Sequence, residues 1–196
     1  SGKKYEENPE SMRIIADHIR TSVFISADKS GIKPSNTDQG YILRRLIRRA
    51  IRHAKKLGID INSNFEEVVA NKIIDKYASY YSELVENKDV VLEVLKNEKI
   101  KFCRTLEKGL KEFEKIANKS ENIDGVTAFH LFDTYGFPLE LTVELANEKG
   151  LKVDVEGFKN KFKEHQELSR TASSGKFKGG LASGGEIETK YHTATH

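Results

Sequence analysis

The run from Gly31 to Gly58, GIKPSNTDQGYILRRLIRRAIRHAKKLG, decides the fold class. Leu43, Leu46, Ile47, Ala50, Ala54 and Leu57 recur at the period of an α-helix and make one apolar stripe. Arg45, Arg48, Arg49, Arg52, Lys55 and Lys56 fall on the other side, with Arg44 beside them. No acidic residue interrupts from Gly40 to Lys56. Pro34, Ser35 and Asn36 form a corner ahead of the helix. Ser35 stands at capping-box spacing from Asp38, or Asn36 caps directly, so the helix starts near Thr37. Gly58 is its stop. The reading is a helix with one face for a core and one for a polyanion. The charge has a single sign and no Glu four residues away, so pairing along the helix does not account for it. It is also mostly Arg, whose planar fork suits phosphate. The bland alternative is a solvated basic face.

Outward from this helix, the chain reads as more helices. Asn8 and Pro9 open one that carries Met12, Ile15, Ile19 and Val23 at core spacing. His18 lies beside that face as a structural histidine. Ser63 and Glu66 stand as a capping box for another, with Phe65, Val69, Ile73, Tyr77, Tyr80 and Leu84 as its stripe. The tyrosines at this spacing read as core rather than as base-stacking platforms. A long helix runs from about Asp89 to about Asn118, roughly 45 Å at the α-helical rise. Val91, Leu95, Phe102, Leu106, Phe113 and Ala117 trace its seam, with Gly109 as a weak point. VTAFHLFDTYG is a short helix closed by Gly136, Pro138 starts the next, and LKVDV is a brief extended connection. Phe158, Phe162 and Leu168 mark a last amphipathic helix. The expected fold is mainly α, an elongated multi-helix domain with one long helix and a flexible C-terminal linker. The helical domain spans 1–172, the Gly/Ser-rich linker 173–189 and the opening of a further element 190–196.

Composition narrows the function classes. The chain has 196 residues, 37% hydrophobic and 32% charged, with a formal net charge of +3, so a basic surface must be local. No apolar run is long enough to span a membrane. Cys103 is the one cysteine, which rules out an internal disulfide and fits a reducing, cytoplasmic compartment. Its place in a stripe with Leu106 and Leu110 reads as a buried, inert thiol. Ser1 in place of Met and an ending inside a histidine pattern suggest a piece of a longer protein.

Three stretches taken together resemble alanyl-tRNA synthetases: ADHIR with TSVFISAD, PSN with GYILRRLIRRAIRHAKKLG, and FHLFDTYGFPLELT. The resemblance covers nearly the whole chain and matches the helical tRNA-recognition region that follows the class II aminoacylation domain. It implies a parent enzyme that attaches alanine to its tRNA using ATP, with Mg and zinc as further cofactors. The ATP and alanine motifs of that family lie upstream, so no cofactor and no catalytic residue is expected in this segment, which alone should be inactive. The implied partners are the acceptor stem of alanine tRNA and the catalytic and editing domains of the same parent chain. The resemblance also assigns Asn36 and Asp133 to the reading of a G·U wobble pair, and Arg44, Arg45, Arg48, Arg49, Arg52, Lys55 and Lys56 to phosphates. The tail YHTATH resembles the first zinc motif of the editing domain, with His192 and His196 as an incomplete ligand set. Lys29 and Ser30 stand as an insertion against the family pattern, and Gln39 replaces a common Arg. Two readings from other classes compete. One is a helical protein-interaction scaffold, the other a helix-turn-helix DNA-binding module using Ile42 to Lys56. The long loop before that helix weighs against the latter.

Overall fold

The computed structural model describes residues 1–174. The expected linker begins two residues inside the last helix and otherwise lies outside the described residues, as do His192 and His196. The described chain is mainly α. It contains α1 (Pro9–Ala27), α2 (Asp38–Lys56), α3 (Phe65–Tyr77), α4 (Glu83–Glu86), α5 (Lys88–Ala117), α6 (Gly125–Tyr135), α7 (Leu139–Glu148) and α8 (Val155–Ser174). Two-residue strands β1 (Asn122–Ile123) and β2 (Lys152–Val153) pair in parallel. No described helix is long and apolar enough to cross a membrane.

Proline at the first position of α1 forfeits no hydrogen bond, because an N–H there has no intrahelical acceptor. Ile15, Ile19 and Val23 are buried, and α1 packs along α2. The corner before α2 folds back on the helix. The Ser35 N–H donates to the Gly40 carbonyl at 3.0 Å, and the Ser35 hydroxyl donates to the Thr37 carbonyl at 2.7 Å. A Cβ on Gly40 would stand 2.9 Å from that of Ser35, so the fold needs glycine there. Asp38 begins the helix with φ +52°, a strained value for a side-chain-bearing residue. Thr37 occupies the cap position without a side-chain bond, so neither Ser35 nor Asn36 caps α2.

The expected helix from Ser63 through Leu84 is two helices. The capping box is not formed, because Glu66 is buried and holds Lys99 of α5 at 2.6 Å instead. Chain direction changes after Tyr77. Leu84 is buried from α4, while Tyr80 is 81% exposed and belongs to no core stripe. Tyr77 does pack, edge-on against Phe24 at 5.5 Å.

Helix α5 is the strut around which the rest is arranged. It buries Val91, Leu95, Phe102, Leu106 and Phe113 and packs against α1, α2, α3 and α6. Gly109 is a point of close approach rather than a weak point: a Cβ there would lie 2.6 Å from the Phe137 ring. Asp124 caps α6 by accepting from the Thr127 N–H at 2.6 Å. Gly136, at φ +69°, closes it, with the Phe137 N–H reaching back to the Leu131 carbonyl at 3.1 Å. Pro138 then fixes the turn into α7. Helix α8 seats Phe158 and Phe162 edge-on against Phe132, at 5.6 and 5.3 Å.

Candidate nucleic-acid interface

The sequence places Asn36 and Asp133 far apart, and the fold brings them together. Both line one open cavity of about 740 Å³. Its walls come from the 34–37 corner with the start of α2, from the C-terminal end of α6 with the Gly136 turn, and from Lys163, His165 and Gln166 of α8. A smaller cavity of about 380 Å³ shares Asn36, Tyr41, Phe132 and Phe162 with it and lengthens the cleft toward α7.

The orientation of Asn36 follows from chemistry. Arg44 donates from Nη1 to its side-chain oxygen, and a guanidinium can only donate, so the oxygen is the engaged atom and the NH₂ is left for other acceptors. Arg44 also lies 3.4 Å from the Pro34 carbonyl and, through Nε, 3.4 Å from Glu98. Asp133 stands in the last turn of α6, half exposed, where the helix dipole does not favour a negative charge. The His165 ring Nε2 lies 3.8 Å from its carboxylate. The carbonyls that end the same helix are satisfied from elsewhere. Thr105 donates to Tyr135 at 2.7 Å, and Arg48 donates to Gly136.

The basic face of α2 requires a correction. It has acidic partners, and they come from α5 and α7. Arg45 meets Glu140 at 2.6 Å, Arg49 and Arg52 meet Glu144 at 2.9 Å, and Arg52 and Lys56 meet Glu148. Arg48 meets the 2% exposed Glu98 at 2.5 Å, and Lys55 meets Glu107 at 2.9 Å. Pair numbers rise together on both helices, so α2 and α7 run in the same sense. Arg48 and Arg52 are buried. Of the seven basic residues assigned to phosphate, Arg44 and Arg48 line the cleft, and Arg44 donates to Asn36 there. The rest lie in a seam that holds helices together. The signal for this was present: Glu140, Glu144 and Glu148 recur every four residues as an acidic stripe matching Arg45, Arg49, Arg52 and Lys56.

Electrostatics in the seam is strongly perturbed. Burial pushes the Glu144 carboxyl up, but hydrogen bonds from His53 and Arg49 and the charge of Arg52 together outweigh it and hold it at about 2. The fully buried His53 donates from Nε2 to Glu144 at 2.7 Å, with Nδ1 2.9 Å from the Ser11 hydroxyl. Burial lowers His18, and the neighbouring Arg49 lowers it further. Burial raises the Tyr41 hydroxyl, assisted by the Glu140 carboxylate that accepts its hydrogen bond at 2.9 Å. Partial burial also raises the Cys103 thiol, which is half-buried rather than fully enclosed. Among the described residues no group of three or more His, Cys, Asp or Glu side chains could hold a metal ion.

The family model for tRNA synthetases class II (A) matches residues 1–194, nearly the entire chain. The chain belongs to this class II tRNA synthetase family. Curated members agree over the same span. The alanine–tRNA ligase of Treponema denticola is 54% identical over 204 aligned residues, and that of Borreliella afzelii (strain PKo) is 50% identical over 201. Both alignments take in 100% of this chain and 34% of the relative. The ligase of Thermotoga maritima is 45% identical, over 87% of this chain and 19% of its own length. The chain thus spans about a third of the first two synthetases and less of the third. A recognition helix presented to a DNA groove does not fit the geometry, since α2 is packed among α1, α5 and the acidic residues of α7.

Proposed function

We propose that this chain is the part of an alanine–tRNA ligase that holds the acceptor stem of alanine tRNA and reads a G·U wobble pair. The observation that carries the reading is the convergence of Asn36 and Asp133 on one open cleft. The parent enzyme would attach alanine with ATP in a neighbouring domain, in the cytoplasm. Mg, and zinc in an editing domain, would act outside the described residues.

The chemistry of the cleft suits a minor-groove edge. The RNA minor groove is wide and shallow and exposes base edges. Guanine presents its exocyclic amine there, and in a wobble pair uracil leaves that amine free. An ionised Asp133 can accept from it. Asn36, with its oxygen held by Arg44, offers its NH₂ to an acceptor on the same edge. Arg44 is the guanidinium nearest an approaching backbone, and Lys163 on the opposite wall adds a cation.

The test is a competition titration of two hairpin stems that differ only in one pair, G·U or G·C, at fixed salt. Wild type should prefer G·U. Asp133→Ala and Asn36→Ala should each reduce the preference, by about 1–3 kcal/mol at most, the range for one good base contact. Asn36→Ala should not weaken α2, because Asn36 is not its cap. Arg52→Gln should lower thermal stability but keep both the G·U preference and the slope of affinity against salt, because Arg52 serves the seam. An unchanged preference in Asp133→Ala means that this carboxylate is not the reader.

A further inference from the structure

Glu98 is a buried carboxylate with no place in the proposed reading, and it connects both readers. It sits mid-way along α5, 2% exposed. Arg48 approaches it with Nε at 2.6 Å and Nη2 at 2.5 Å, and Arg44 with Nε at 3.4 Å. The far side of each guanidinium is committed elsewhere. Arg44 donates to the side chain of Asn36 and lies against the Pro34 carbonyl. Arg48 donates to the Gly136 carbonyl, three residues beyond Asp133, and rests over the Phe102 ring at 5.0 Å. A Cβ on Gly136 would approach the Arg48 guanidinium carbon to 3.2 Å, so the turn and the arginine are closely fitted.

We propose that Glu98, through Arg44 and Arg48, is the positioning residue that sets the spacing and orientation of Asn36 and Asp133, so that specificity depends on a carboxylate that never touches RNA. This inference rests on the reading of the cleft given above. Two arginines side by side repel, and burial penalises their charge; one carboxylate between them relieves both effects. Arg48 donates to Glu98 and is fixed along that edge, whereas Arg44 is held to it by charge alone at 3.4 Å; because each guanidinium is planar, its placement against Glu98 sets where its other edge points. The corner and the α6 turn are thereby tied to one point on the most extended helix of the fold. Loss of the tie should spoil base discrimination more than total affinity, since phosphate contacts tolerate small displacements and base-edge contacts do not.

Two measurements on the chain test this. The first is the G·U against G·C competition with Glu98→Gln and Arg44→Lys. Glutamine keeps the shape and loses the charge. Lysine keeps the charge but cannot span Glu98 and Asn36 at once. Each variant should reduce the G·U preference roughly tenfold, the equivalent of one lost hydrogen bond, and Glu98→Gln, at a residue that touches no RNA, should keep affinity for the G·C stem within about twofold. The second needs no RNA. Spin labels at Lys33→Cys and Thr134→Cys in a Cys103→Ala background should give one narrow distance distribution, broadened by Glu98→Gln or Arg44→Lys. If Glu98→Gln does not fold, Arg44→Lys decides. An unbroadened distribution, or a wild-type G·U preference in a folded Arg44→Lys, overturns the proposal. If the unsubstituted chain shows no preference between stems, the reading of the cleft fails, and the distance measurement still decides whether Glu98 is the tie.

Discussion

Removing the carboxylate of Glu144 is expected to destabilise this protein by about 3 kcal/mol or more, the lower end of the cost of breaking a buried ion pair from one side. Glu144 is 17% exposed and receives Arg49, Arg52 and His53 together. Glu144→Ala leaves those three donors, two of them buried, without their common acceptor. The same carboxylate has a pH signature. It is held at about 2 in the fold, against an ordinary value of 4.5. A depressed folded value means that the stabilisation is fully present above pH 4.5 and is lost as pH falls toward 2. The difference corresponds to at most about 3 kcal/mol of acid-labile stability. Urea unfolding from pH 7 to pH 2.5 should show a steep acid limb in wild type and a flatter one in Glu144→Gln. The limb should not vanish, because Glu148 is also lowered: burial raises it, and Lys56 and Arg52 more than reverse that. Equal acid limbs in the two proteins would place the pH dependence elsewhere.

Gly125→Ala is expected to cost about 2–3 kcal/mol, the upper part of the range for overpacking. Its Cβ would point into the backbone of α8, 2.5 Å from the Gly157 Cα. Backbone cannot turn aside as a flexible side chain can, so α6 and α8 must separate. That separation also carries Lys163, His165 and Gln166 away from the cleft. Gly157→Ala should be milder. Its Cβ would meet Gly125 at 3.2 Å and the Asp154 carboxyl carbon at 2.9 Å, and the carboxyl can rotate. Denaturant midpoints for both variants, with hydrogen exchange of α8 amides, check this. An unchanged midpoint and unchanged α8 protection in Gly125→Ala would show that the crossing can relax without loss.

Local signals carried most of the fold. The 3.6-residue period of α2 and α5 is strong because each buries one long face, and the glycine and proline around residues 136–138 act through their own backbone geometry. What stayed hidden was set by distant residues. Glu66 matches a capping box in sequence, yet Lys99 claims it from another helix. The strands β1 and β2 are two residues long, too short to show alternation. The break after Tyr77 lies inside a run that keeps helical spacing. The site was half legible. Asn36 and Asp133 came from the family resemblance and do share a cleft. The counter-ions of the α2 arginines are invisible to a count of charge along one helix, because they sit on α5 and α7. Glu98 carries no sequence signal at all: it is one glutamate among many until folding buries it.

The seam between α2 and α7 joins residues 91 to 96 positions apart, while α1 and α2 are neighbours in the chain. Closing so large a loop carries an entropic cost that local helix pairing does not. The helix pair α1–α2 can therefore form early, and the arginine–glutamate rows meet only when α7 arrives. Interactions absent from the folding transition state slow unfolding and leave the folding rate nearly untouched. The seam thus acts as a latch on the lifetime of the native state. In stopped-flow experiments Glu144→Gln should unfold faster than wild type and refold at almost the same rate.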